Sequence, residues 1–178
     1  SIGAQGIDST LSLAHKMYEL ERYEQAIPFY ERARFFTPSG SLEASILFKM
    51  GECYRKSDQA KKSLDYYDRA YFNSTLAPEK QAALVAKIRA LINLKEFHLA
   101  LAEIYAANPN GAEEQRRLDF FTGICFYANG DFKGSFDNFL MAASGDSAKI
   151  NALNKLFPDS TTLYRPRPKL AKKLSFFL

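Results

Sequence analysis

Residues 21–33 read ERYEQAIPFYERA, and the spacing inside this stretch decides the fold. An aromatic, Tyr23, is followed after three residues by Ala26, after four more by Tyr30 and after three more by Ala33, which is one face of a helix. The same ladder returns as Ala60, Ser63, Tyr67 and Ala70, as Phe97, Ala100, Ile104 and Ala107, and as Phe132, Ser135, Phe139 and Ala142. Successive copies lie 37, 37 and 35 residues apart and all four markers shift together, so the chain is an internal repeat.

Upstream of each ladder runs a second helical pattern with its own marker pair: Ala14 and Met17, Gly51 and Tyr54, Ile88 and Leu91, Gly123 and Phe126. The repeating unit is therefore two helices. A helix pair that crosses closely needs Ala, Gly or Ser where the backbones approach and a large side chain one turn away. Ile88 is the weak fit, and it predicts a third pair that is splayed or shifted.

The punctuation agrees. Short breaks at LERYE, KSDQA, LKEFH and NGDFK separate first from second helices, and longer ones at TPSGS, STLAPE and NPNGAEE separate units. Ser41 is expected to cap the following helix, Pro78 suits a first turn with Glu79 inside it, and Asn110 with Gly111 stops one helix before Glu113 and Glu114 start the next. Helices are expected over 8–21, 23–36, 41–56, 60–73, 78–94, 97–107, 113–129 and 132–144, with a ninth over 147–157 closing the stack.

Composition sets the class. A chain of 178 residues with 47% apolar, 25% charged and 14% aromatic residues folds as an ordinary globular protein. Nine glycines and seven prolines are too few for an all-β chain, and no run of apolar residues is long enough to span a bilayer. The net charge of +4 is not spread evenly. Arg165, Arg167, Lys169, Lys172 and Lys173 lie in a tail without acids, which leaves 19 basic against 20 acidic residues elsewhere. A near-neutral body argues against nucleic acid as the partner of the fold as a whole, and leaves the tail as a local tether to an anionic membrane surface, nucleic acid or an acidic protein. Cys53 and Cys125, 72 residues apart in apolar helical patterns, read as buried packing thiols.

A two-helix unit with a small and a large apolar residue in its first helix, an aromatic at the turn, then Ala, aromatic and Ala in the second, resembles the tetratricopeptide repeat (TPR). Residues 7–40 carry the pattern best, with Leu13, Ala14, Met17, Tyr23, Ala26, Tyr30, Ala33 and the trailing Pro38. Later copies depart from it: Ser63 and Ser135 replace Ala, Ala60 replaces the turn aromatic, and no proline follows Ala142. The resemblance implies an all-α, right-handed α-solenoid of about four helix pairs whose first helices line a concave surface. The units fall near 7–40, 44–77, 81–112 and 116–149, after an extension at 1–6. Residues 147–157, with Ile150, Leu153 and Phe157 at helical spacing, form the cap such a stack requires, and 158–178 is a basic tail or juxtamembrane segment. The tail RPRPKLAKKLSFFL also resembles the run that introduces a membrane segment in some bacterial envelope proteins, and SIGAQG at residues 1–6 resembles the end of a secretory signal. Together they place the repeat in the periplasm, whereas the tail's lysines alone favour the cytoplasmic side of a membrane; an envelope location is the expectation.

No convergent set of catalytic groups stands out. His15 and His98 fall in different units without a Cys or carboxylate at ligand spacing, GSLEASILFKMG lacks the Gly-Lys-Ser ending of a phosphate loop, and Glu113 with Glu114 are first-turn charges. Neither metal, cofactor nor catalysis is expected. The family's concave-face offsets select His15, Tyr18 and Glu19; Glu52, Arg55 and Lys56; Arg89, Ile92 and Asn93; and Ile124, Tyr127 and Ala128. With Lys49 a turn earlier, Arg55, Lys56 and Arg89 give a cationic middle suited to an acidic peptide, between the rings of Tyr18 and Tyr127. Of the positions where chaperone-binding members clamp a terminal carboxylate only Lys49 survives, the others being Leu11, His15, Ala82 and Ala86. The leading expectation is a non-catalytic interaction scaffold whose partner capture is abolished by Arg55→Glu with Arg89→Glu at unchanged helicity. The alternatives are a secretion chaperone using Ile92, Phe120 and Ile124 as an apolar lining, and a self-associating assembly module.

Overall fold

The computed structural model describes residues 2–156, and within them the chain is helical, with no strand. It divides into two compact units between Glu96 and Phe97. The first holds α1 (Ile2–Glu19), α2 (Tyr23–Phe35), α3 (Ser41–Lys56), α4 (Ala60–Asn73) and α5 (Ala77–Asn93), and the second holds α6 (Phe97–Ala106), α7 (Ala112–Ala128), α8 (Phe132–Ala142) and α9 (Ser147–Leu156). The expected boundaries hold within about two residues except at the start, where α1 begins at Ile2. Each helix packs on its neighbours in sequence within its own unit. Residues 157–178, with Phe157 of the expected cap and the five tail cations, lie outside the described residues.

The small first-helix residues do what close crossing demands. A Cβ placed on Gly51 would stand 2.6 Å from Cε1 of Tyr67 on α4, and one on Gly123 would stand 2.6 Å from Cδ1 and Cε1 of Phe139 on α8. Ala14 fills the same register in the first repeat and is buried with Ala26, Tyr30, Ala33, Ile46, Met50 and Cys53. Tyr67 then continues onto Ala86 and Ala90 of α5. In the second unit Phe136 and Phe139 gather Phe120, Ile124, Tyr127, Leu140 and, from α9, Leu153.

The serines that replace Ala are buried and satisfied. Ser135 Oγ donates to the carbonyl of Gly123 on the facing helix at 2.8 Å, and Ser63 Oγ donates to that of Ala60 at 2.7 Å. Each therefore occupies the small-residue slot without stranding a hydroxyl. Both cysteines are buried and free. Burial pushes the Cys53 thiol up to about 12 and that of Cys125 up to about 11, so both stay protonated and inert.

The hairpin turns share one backbone form. Glu21, Asp58, Lys95 and Gly130 all have positive φ, at 58°, 56°, 62° and 83°. The next residue in each case, Arg22, Gln59, Glu96 or Asp131, donates its N–H back to the carbonyl of Met17, Tyr54, Leu91 or Phe126 at 2.8–3.0 Å. This is the Schellman closure of a helix C-terminus, and it returns at the step of the sequence repeat.

Two expected caps differ in detail. Ser41 is the first residue of α3 and does not cap it; Gly40 holds that place at φ 143°, and the Ser41 hydroxyl bonds to that of Thr75 instead. Gly111, at φ 104°, holds the cap place before α7, α6 having already ended at Ala106, while Glu114 reaches back to accept the N–H of Asn110.

Candidate functional site

The residue that follows the small contact residue of each first helix shares a register with the second-helix aromatic. In the second repeat the pair is Glu52 and Tyr67: the Tyr67 hydroxyl donates to Glu52 Oε1 at 2.5 Å, and Arg55 donates to the same carboxylate through Nε at 3.1 Å and a terminal nitrogen at 2.8 Å. Burial works against a charged Glu52, but hydrogen bonds from Arg55 and Tyr67 and the charges of Arg55 and Lys56 outweigh it and hold the carboxyl below the usual range. In the first repeat the pair is His15 and Tyr30, with rings 5.6 Å apart, and the buried Tyr30 hydroxyl has no hydrogen-bond partner among the described residues. In the fourth it is Ile124 and Phe139, both apolar and packed together. Arg89 holds the register on α5, with a buried Nε that also lacks a partner among the described residues.

Equivalent tyrosines thus predict opposite mutational signs. Tyr67→Phe removes a hydrogen bond to a charged acceptor and is expected to cost about 1.5–3 kcal/mol. Tyr30→Phe removes an unsatisfied buried hydroxyl and should leave stability unchanged or raise it. Urea unfolding of the two variants checks this, and equal losses at both positions would contradict it.

Between α1, α2 and α3 lies a cluster of aromatic rings and cations. Tyr18 and Tyr23 meet edge to face with centroids 5.4 Å apart. Lys49 Nζ stands 4.5 Å from the Tyr18 centroid, and Lys56 Nζ stands 5.8 Å from Tyr18 and 4.9 Å from Tyr23, donating to the Tyr23 hydroxyl at 3.2 Å. The two lysines are seven residues apart on α3 and so share a face. Glu52, the acid between them in sequence, is already committed to Arg55 and Tyr67. Beside this cluster His15, with Asp8, Leu11, Ser12, Lys16 and Glu19, borders an open hollow of about 600 Å³ along α1.

The structure therefore brings Tyr18, Lys49, Glu52, Arg55 and Lys56 together, though not as a uniform bank of cations. Arg55 is spent on Glu52, so its charge reversal would strand that carboxylate and is not a clean probe of binding. His15 is exposed on α1 and Asn93 at the end of α5; Tyr127 belongs to the second unit, where its ring meets Phe132 at 5.5 Å. The apolar lining expected from Ile92, Phe120 and Ile124 is used internally: Ile92 is buried, and Phe120 and Ile124 pack on the Phe136–Phe139 cluster. Sequence reasoning treated Tyr23 and Tyr67 only as packing markers. The hydroxyl that distinguishes them from Phe97, Phe132 and Phe139 was the signal for their polar roles.

Two further features were not anticipated. Phe35 and Phe72, each two residues past the last alanine of its ladder, are 81% and 78% exposed. In the second unit, Ile104, Tyr105, Pro109, Leu118, Phe126 and Asn138 border a cleft of about 330 Å³. Among the described residues no group of His, Cys, Asp and Glu is placed to hold a metal, and no helix is long and apolar enough to cross a membrane.

Neither a family model nor a curated protein matches the chain. Among solved structures it is similar to the MamA RS-1 ArsTM double mutant, with a TM-score of 0.69 and 16% identity over 96% of this chain and 91% of that one. At that identity the likeness speaks to architecture, and together with the paired helices it makes the fold of this chain an all-α, TPR-like helical solenoid.

Proposed function

We propose that the chain is a non-catalytic interaction scaffold that holds an acidic segment of a partner protein against α1 and α3 of its first unit. The observation that carries this reading is the pair Lys49 and Lys56. Both sit over tyrosine rings, neither has an ion-pair partner among the described residues, and the nearest acid in sequence is neutralised by Arg55. Arg89 holds the equivalent register on α5, but its Nε is buried and adds no open donor to this face. Helices ordered before the partner arrives spare the complex an ordering cost, and a few aromatic and cationic anchors then dominate affinity.

Selection from a random peptide display library tests this. Enrichment of Asp and Glu is expected, with binding that weakens as salt rises and is lost in Lys49→Glu/Lys56→Glu at unchanged helical circular dichroism. Selected peptides without acidic enrichment, or binding indifferent to that double reversal, would sink the reading.

One observation favours a second reading, self-association. Phe35 and Phe72 repeat at equivalent places in the first unit with most of their surface in water, backed by Phe36 and Tyr71. Sedimentation of the wild type and of Phe35→Glu/Phe72→Glu at several concentrations decides it: a wild type that stays monomeric throughout removes it. The secretion-chaperone alternative is weaker, since Ile92, Phe120 and Ile124 are occupied in packing.

A further inference from the structure

Resting on that reading of the α1 and α3 face, we propose that Lys49 and Lys56, over Tyr18 and Tyr23, form a subsite for a phosphoryl group carried on a partner's side chain. The argument is one of donor chemistry. A planar carboxylate is best matched by the fork of an arginine, and the arginine of this cluster, Arg55, already spends Nε and a terminal nitrogen on Glu52. What remains is two ammonium groups, which act as compact point charges without a preferred plane.

An ammonium carries three donors. Lys56 gives one to the Tyr23 hydroxyl, and Lys49 faces the Tyr18 ring with no hydrogen bond among the described residues. More donors are therefore open than the two oxygens of a carboxylate engage, and they match the several oxygens and nearly double charge of a phosphoryl group. The tyrosines complete the site. Both ammoniums lie within 6 Å of the Tyr18 centroid, so one ring attracts both and offsets part of their mutual repulsion. The Tyr18–Tyr23 edge contact fixes that ring against α2.

The test uses the full chain with small probes at constant ionic strength: inorganic phosphate, N-acetyl-O-phosphoserine methylamide, the corresponding glutamate compound and the unmodified serine compound. Binding is read by NMR from the ring signals of Tyr18 and Tyr23 and the ε-methylene signals of Lys49 and Lys56. Saturable shifts are expected with both phosphate probes, with affinity about tenfold or more above that for the glutamate compound, and none with serine. Lys49→Gln and Lys56→Gln should each remove most of that affinity, whereas Lys61→Gln, on exposed α4 surface, should not. If the glutamate compound binds as well as phosphoserine, the phosphoryl proposal falls while the acidic-segment reading stands. Absence of saturable binding by any anion overturns both, and phosphate binding that survives Lys49→Gln/Lys56→Gln places the anion elsewhere and overturns this subsite.

Discussion

Gly51→Ala is expected to lower the stability of the first unit by about 2 kcal/mol, a drop of roughly 8–16 °C in its melting temperature. The added methyl gains about 1 kcal/mol of helix propensity, so overpacking must cost more than that, about 3 kcal/mol. The geometry supplies it, because the new Cβ lands 2.6 Å from one Tyr67 ring carbon and 2.7 Å from another. The ring has nowhere to go: Tyr67 is fully buried and its hydroxyl is held by Glu52. Gly123→Ala meets Phe139 just as closely, but no hydroxyl pins that ring, so the loss there should be smaller. Gly6→Ala is the control. Nothing among the described residues lies within 4 Å of its Cβ position in α1, and propensity alone should stabilise it by up to about 1 kcal/mol. Thermal melts of the three variants read the order directly, and a Gly51→Ala protein as stable as the wild type would refute the close crossing of α3 and α4.

Arg55→Glu carries the second large effect, about 2–3 kcal/mol at neutral pH, discounted for the partial exposure of both side chains. It replaces two charge-assisted hydrogen bonds to Glu52 with a second carboxylate beside the first. The pH dependence gives the loss a signature. In the wild type the Glu52 carboxyl sits below its usual range, so its contribution is complete above the unfolded carboxylate pKa and disappears as pH falls through the folded one. In the variant, facing carboxylates raise each other's folded pKa, so stability is highest in acid and falls as pH rises. The gap between the two proteins should therefore widen from about pH 3 to about pH 7 in denaturant melts. A gap independent of pH would mean that the ion pair is not its source.

How much of this was legible in the sequence depends on what each residue must do. Spacing alone located the helices and the contact residues, because Gly51 and Gly123 stand where only a missing side chain permits the crossing. The breaks between helices were legible from composition, but the left-handed residue within each was not, since Glu21 and Lys95 carry no mark of it. Arg55 shows the other limit. A list of groove positions records a cation, whereas its contact with a carboxylate three residues earlier, shared with a tyrosine from α4, depends on side-chain direction and burial. The same holds for Ile92 and Ile124, whose chosen offsets did not reveal that the local packing had already taken them.

The recurring turn has a consequence for how such a chain changes over time. Its closing bonds run from main-chain N–H to main-chain carbonyl and ask nothing of the side chains at Glu21, Asp58, Lys95 and Gly130 beyond tolerance of that conformation. Acid, base and glycine are thus interchangeable at these joints. A lineage built this way can rewrite most of its letters, or copy a whole hairpin, and still keep the angle at which one helix hands over to the next.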